Sequence, residues 1–170
     1  MACSVLQNIL KGCEPSNAGG IFNVYINDSS NVTYFSASAS THNVIGLTAS
    51  PDFVTFEFNR NVGNALTSPK IDLINGSTYY ENTITVVLAR REASKSRALQ
   101  VLGEGQRFLD MIVKDANGVN WYYQNMQLTG GDEDSGTAFA DGSKYTVTFV
   151  GQATNRPYAV SQALVDGVIA

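Results

Sequence analysis

One stretch, residues 78–124, constrains the fold more than any other. It holds the longest strand-like run, the one convincing amphipathic helix and the clearest hairpin without a break. Residues 78–88 are dense in Thr, Tyr, Ile and Val, the β-branched and aromatic types that suit a pleated, half-buried surface. From Arg90 to Leu102 the composition changes to Arg, Glu, Ala, Lys and Leu, and Ala98, Val101 and Leu102 fall at the i, i+3, i+4 spacing of one helical stripe. Gly103 stands where a left-handed helix end is wanted. Two apolar runs, 108–113 and 119–123, then flank Asn117-Gly118, a dipeptide that tolerates the positive φ of a tight hairpin turn. The pattern predicts one helix crossing between strands and packing on a sheet through Ala98, Val101 and Leu102.

The rest of the chain supplies more strands. Residues 21–26 and 32–35 read as a hairpin over a polar turn, and Val44, Ile45 and Leu47 mark a weak strand. Residues 53–58 alternate, with Val54, Phe56 and Phe58 on one face and Phe53, Thr55 and Glu57 on the other. Gly63, Pro69 and Asn75-Gly76 make residues 59–77 read as a long loop, yet Ile71, Leu73 and Ile74 are more apolar than a solvated connector needs; loops of this length in compact domains are usually functional or disordered. Residues 130–136 read as an acidic, Gly-rich turn carrying Asp132, Glu133 and Asp134, followed by a strand at 145–150. Residues 1–19, with Val5, Leu6, Ile9 and Leu10 at helix-like spacing, and residues 152–170 read as terminal arms. The expectation is a single domain over residues 1–170, mainly β within the α+β class: an antiparallel β-sandwich or barrel with one flanking α-helix, an extended loop and arms at both ends.

Chemistry is sparse. Charged residues are 15% of the chain, well under the usual ~25%, and the net charge is −4, so there is no basic footprint for gripping nucleic acid. No run approaches the ~18 apolar residues of a membrane span, and the first residues lack the basic and apolar regions of a secretion signal, so a soluble, cytoplasmically made protein is expected. Cys3 and Cys13 are too few for a disulfide framework and have no His or Cys companions for zinc, so free thiols are expected. His42, the only histidine, has no nucleophile motif to serve. The Asp132-Glu133-Asp134 run lacks the spacing of a calcium loop, and Gly103-Glu104-Gly105 follows a helix rather than opening one, the wrong side for a phosphate. Arg90 and Arg91 sit at a helix start, where the macrodipole disfavours cations, which points either to a partner's carboxylate or to two solvated arginines with snorkelling stems. Trp121, Tyr122 and Tyr123 are read as core rather than as a ligand platform. The expectation is therefore a non-enzymatic protein with no cofactor and no metal.

With the segments laid out, the chain resembles the tail tube proteins of tailed bacteriophages, a fold shared with tube proteins of contractile injection systems and of type VI secretion. The features that carry the likeness are residues 59–77 between two strong strands, the helix approached from a strand, the Asn117-Gly118 hairpin, and the two arms. The likeness is architectural and spans most of the chain. It implies hexameric rings that stack into a hollow tube, with inner strands joined into a continuous barrel and the long loop and arms bridging successive rings. It also implies other tail proteins as partners, passage of DNA without specific binding, no membrane, and a place in the virion tail after synthesis in a host bacterium. On this resemblance Ile71, Leu73 and Ile74 become inter-ring contacts, while Glu57, Asp132, Glu133 and Asp134 face a bore in which mild repulsion lets DNA slide. The alternatives are another virion component, a head decoration or tail-completion protein, and a carbohydrate-binding β-sandwich module.

Overall fold

The protein is described here by a computed structural model covering residues 8, 9 and 17–169. Most of the expected N-terminal arm, with Cys3 and Cys13, lies outside the described residues. In chain order the elements are β1 (Ile21–Asp28), β2 (Val32–Ser38), β3 (Asn43–Ala49), β4 (Val54–Phe56), β5 (Gly63–Asp72), β6 (Ser77–Ala89), α1 (Ala93–Gly103), β7 (Leu109–Asp115), β8 (Asn120–Asp134), β9 (Lys144–Ala153), β10 (Tyr158–Val160) and α2 (Gln162–Asp166). The protein is mainly β, a sandwich flanked by α1, with α2 a short second helix.

All ten strands belong to one hydrogen-bonded network that branches at β8. The first half of β8 pairs with β7 and β10, giving a first layer in the order β2-β3-β10-β8-β7-β1-β4. From Met126 onward β8 pairs with β9 instead, giving a second layer in the order β8-β9-β6-β5. The change of layer falls at Asn125, whose φ of 54° bends the strand. Close approach there requires Gly151: a Cβ on it would stand 2.6 Å from Met126 Sδ and 2.9 Å from the Asn125 carbonyl oxygen.

The period of two then sorts the side chains into two cores. Val24, Ile26, Met111, Val113 and Tyr123 of the first layer meet Ile84, Val86, Tyr145, Val147 and Phe149 of the second, and Leu99 of α1 belongs to the same cluster. The residues between them, Tyr25, Ile112 and Tyr122, point the other way into a second core with Val44, Leu47, Phe53, Val160, Val165 and Val168. The middle strands of the first layer are thus buried on both faces, which is why 108–113 reads as a continuous apolar run.

Several expectations are corrected. β1 and β2 do not form a hairpin: a 3-10 turn at Ser29–Asn31 sends β2 across to β3, while β1 pairs with β7 and β4. The expected loop 59–77 is mostly β5, ten residues paired in register with β6 around a short turn; Pro69 is tolerated because β5 is an edge strand. The expected acidic turn is the last part of β8, where Asp132, Glu133 and Asp134 pair with Thr146, Tyr145 and Lys144. The expected C-terminal arm is built into the fold instead: β10 pairs with β8 and β3, and Val160, Val165 and Val168 fill the second core. Around β4 the alternation is also different, with Phe53 fully buried and Val54 exposed. On α1 the buried residue is Leu99, with Val101 and Leu102 half-buried and Ala98 exposed. Gly103 remains right-handed (φ −81°), and the left-handed residues are Gly105 and Gln106.

Candidate assembly surface

The second layer is a four-stranded antiparallel sheet, β5-β6-β9-β8, whose outermost strands have no strand partner on their outer sides among the described residues. On β5 the pairable edge runs over residues 63–68, ahead of Pro69, which has no N–H to donate. On β8 it runs from Gln127 to Asp134, flanked at residues 127–129 by the end of α1 and the turn after it, where Gln127 Nε2 donates to the Gln106 carbonyl oxygen at 3.0 Å. The two edges lie at the same level: Gly63 aligns through Val86 and Val147 with Gly131, and Leu66 through Thr83 and Val150 with Gln127. Four alternating strands also leave β5 and β8 running in opposite directions, so β8 of one copy beside β5 of another continues the antiparallel order. Unpaired rows of N–H and C=O groups are templates for such pairing.

One face of this sheet is the first core; no described element packs on the other. That open face carries Thr83 and Thr85 of β6 with Thr146 and Thr148 of β9, and the hydroxyls of Thr85 and Thr148 lie 3.5 Å apart. Asp132 and Asp134 share the open face, aligned with Thr146 and Lys144. Glu133 does not. It lies on the opposite side with Tyr145, and its carboxylate accepts a 2.8 Å bond from Arg91 Nη2. That bond and the Ser96 hydroxyl hold Glu133 below the usual carboxylate range. The carboxylate suggested by Arg91 at the helix start is therefore one from its own chain. Glu57 is also off this sheet: exposed just past β4, it borders a groove against α1 lined by Thr55, Phe56, Leu88, Ser94, Lys95, Ala98 and Leu99. β4 ends at Phe56, and beyond it Glu57 is exposed between Phe56 and Phe58, which pack against the first core.

The β5–β6 hairpin projects. β9 stops at Ala153 opposite Tyr80, so residues 70–79 extend without a third strand, and the three residues from Tyr80 to Ser77 rise ~10 Å before the turn begins. At its tip the structure brings together Ile71, Leu73 and Ile74, which are 64%, 90% and 96% exposed. The turn is held from within. Asp72 Oδ1 accepts from the Ile74 and Asn75 backbone N–H groups, and Oδ2 accepts from Asn75 Nδ2 at 2.6 Å. The bonds from Asn75, then the one from Ile74, keep the Asp72 carboxyl below its ordinary value. Gly76 supplies the positive φ of 66°. Asn75-Gly76 flanked by alternating residues is itself a hairpin signature, the signal that could have revealed this element from the sequence.

A buried carboxylate escaped the sequence reading. Asp110 accepts from the Tyr122 hydroxyl, from Ser29 Oγ at 2.7 Å and from the Asn125 backbone N–H at 3.2 Å. It ties the 3-10 turn after β1 to the bend in β8, and the one hint is an aspartate inside an apolar run. Burial, reinforced by Asp110, pushes the Tyr122 hydroxyl far above the usual tyrosine range. Trp121, Tyr122 and Tyr123 form no common platform, since Tyr122 faces the second core and its neighbours the first. His42 lies against the Tyr158 ring with Nε2 3.1 Å from the Arg156 carbonyl oxygen. Among the described residues no three His, Cys, Asp or Glu side chains converge, and no helix is long and apolar enough to cross a membrane. Compared with known proteins, the chain matches no family model and no curated protein.

Proposed function

We propose that this chain is the structural subunit of a phage tail tube, forming rings in which β8 of one copy pairs edge to edge with β5 of the next. The observation that carries the reading is the four-stranded sheet with two open edges, opposite in direction and level with each other. Such an interface is heterologous, and a fixed rotation between copies closes it into a ring. Six copies contribute ~24 strands, a size at which barrels leave an open channel rather than a packed interior. The open face of the sheet then lines the bore with Thr83, Thr85, Thr146 and Thr148, with Leu66, Val87 and Val150 among them, and with charges of both signs, Glu81, Asp132 and Asp134 beside Lys144. Uncharged groups with acidic charges in excess of the one lysine give DNA little to adhere to. The projecting hairpin reaches beyond the ring, where Ile71, Leu73 and Ile74 meet an adjacent one. On this reading the protein is not an enzyme, takes no cofactor, and works in the virion tail beside other tail proteins.

The test is electron microscopy of the purified protein over a concentration series, together with hydrogen exchange. Hollow tubes should appear, and the amides that gain protection on assembly should include those at residues 63–68 and 127–134. A particle that stays monomeric at millimolar concentration would overturn the tube. So would a discrete trimer that binds capsids, the behaviour of a decoration protein, or stabilisation by sugars, that of a carbohydrate module.

A further inference from the structure

The apolar hairpin tip and the groove beside α1 lie at opposite ends of the same sheet. β6 begins at the hairpin with Ser77, and Leu88, eleven residues on, lines the groove. The rise along a strand separates tip from groove by ~40 Å. The groove has a volume of about 400 Å³, and Phe56, Leu88, Ala98 and Leu99 give it an apolar lining. Lys95, on its wall, turns its ammonium away to the carbonyl oxygens of Ala89 and Arg90, at 2.8 and 3.2 Å, leaving its aliphatic stem along the groove. Glu57 stands exposed at the rim, and Lys70 stands at the base of the tip, half-exposed, with its ammonium 3.8 Å from Glu81 of the same hairpin.

We propose that the hairpin tip of one copy, through Leu73 and Ile74, docks in the α1–β4 groove of the copy stacked on it. This rests on the tube reading and names the receptor that the tip would meet there. A knob at one end and a hole at the other make a head-to-tail contact that propagates along an axis instead of closing on itself. The apolar residues of the tip match the apolar lining of the groove, and Lys70 approaches Glu57 with opposite charge. The contact also sets the axial repeat, which cannot exceed the tip-to-groove distance of ~40 Å and shortens as the strands tilt.

The test is a disulfide ladder. In a Cys3→Ser, Cys13→Ser background, Leu73→Cys combined with Ala98→Cys places one thiol on the tip and one on the exposed rim of the groove. Mild oxidation of assembled protein should give a ladder of covalent oligomers. Leu73→Cys alone should stop at dimers, and so should Leu73→Cys with Thr41→Cys. As a second arm, Leu73→Asp with Ile74→Asp should raise the concentration needed for tubes by ~10-fold or more while leaving the circular dichroism of the monomer unchanged. Tubes that form without a ladder overturn the docking and leave the tube reading standing. A ladder of linear chains without hollow tubes keeps the docking and overturns the tube. No assembly and no ladder overturn both.

Discussion

Leu99→Ala tests where the helix is anchored. Leu99 is the one residue of α1 that is buried, at 8% exposure, and it sits in the first core with Leu88, Tyr145 and Phe149. Truncation removes three carbons from that contact, worth ~2.4 kcal/mol at ~0.8 kcal/mol each. A rigid site would add up to a similar cavity cost, but the groove beside Leu99 lets α1 settle inward, so the total should be ~2.5–3.5 kcal/mol. For a domain of this size that is a fall in Tm of ~5–14 °C. The helix should stay in place, because Ser96 Oγ and the Tyr145 hydroxyl lie 2.7 Å apart and the same hydroxyl donates to the Glu92 carbonyl. Scanning calorimetry on unassembled protein, with Leu102→Ala and Ala98→Ser run alongside, reads the ranking. Half-buried Leu102 should cost about half as much as Leu99, and exposed Ala98 under ~0.5 kcal/mol. A Leu99→Ala shift under ~2 °C, or a larger loss from Leu102→Ala, would refute the assignment of the buried stripe.

Two further outcomes follow from hydrogen bonds. Tyr122→Phe leaves one oxygen of the buried Asp110 without its donor and should cost ~1.5–3 kcal/mol in denaturant unfolding; an unchanged midpoint would mean that the carboxylate is satisfied without the tyrosine. Glu133 is held below the ordinary glutamate range by Arg91, so its contribution is fully present above that range and lost as pH falls through the depressed value. The Tm difference between wild type and Glu133→Gln should stay constant from pH 8 to 6 and vanish toward pH 3, and a difference that persists in acid would show that the ionised pair is not its cause.

The central strand, helix and hairpin of residues 78–124 were legible because each had enough length for its own periodicity to show. What failed was long-range. Pro69 and the two glycines of residues 59–77 look like loop punctuation locally, but an edge strand has a free side on which a missing N–H breaks no ladder bond. Gly130 and Gly131 have weak strand propensity and were read as a turn; pairing with β9 overrides that preference. The short runs after Pro157 looked like an arm because nothing local reveals that β10 has two strands waiting for it. Among the candidate residues, the tip trio could be found from apolar character where a loop seemed to be. The separation of Asp132 and Asp134 from Glu133, and the position of Glu57, depended on where strands end, the least legible property of a sequence.

β8 belongs to both layers, and this has a bearing on how the protein reaches its folded state. Neither sheet can come apart without stripping β8 from the other, so the two cores melt as one cooperative unit. Closing the second layer requires β6 to find β9 across the whole of α1, β7 and β8, with Ala89 finally opposite Lys144, a topology that places folding among the slower, millisecond-to-second class. The β5–β6 hairpin, whose contacts are local, needs no such closure and is expected to form first, with both its free edge and its apolar tip open to other chains. Crowded synthesis therefore favours irregular clumping, and ordered assembly of the kind proposed above depends on each chain finishing its own sandwich before it meets another.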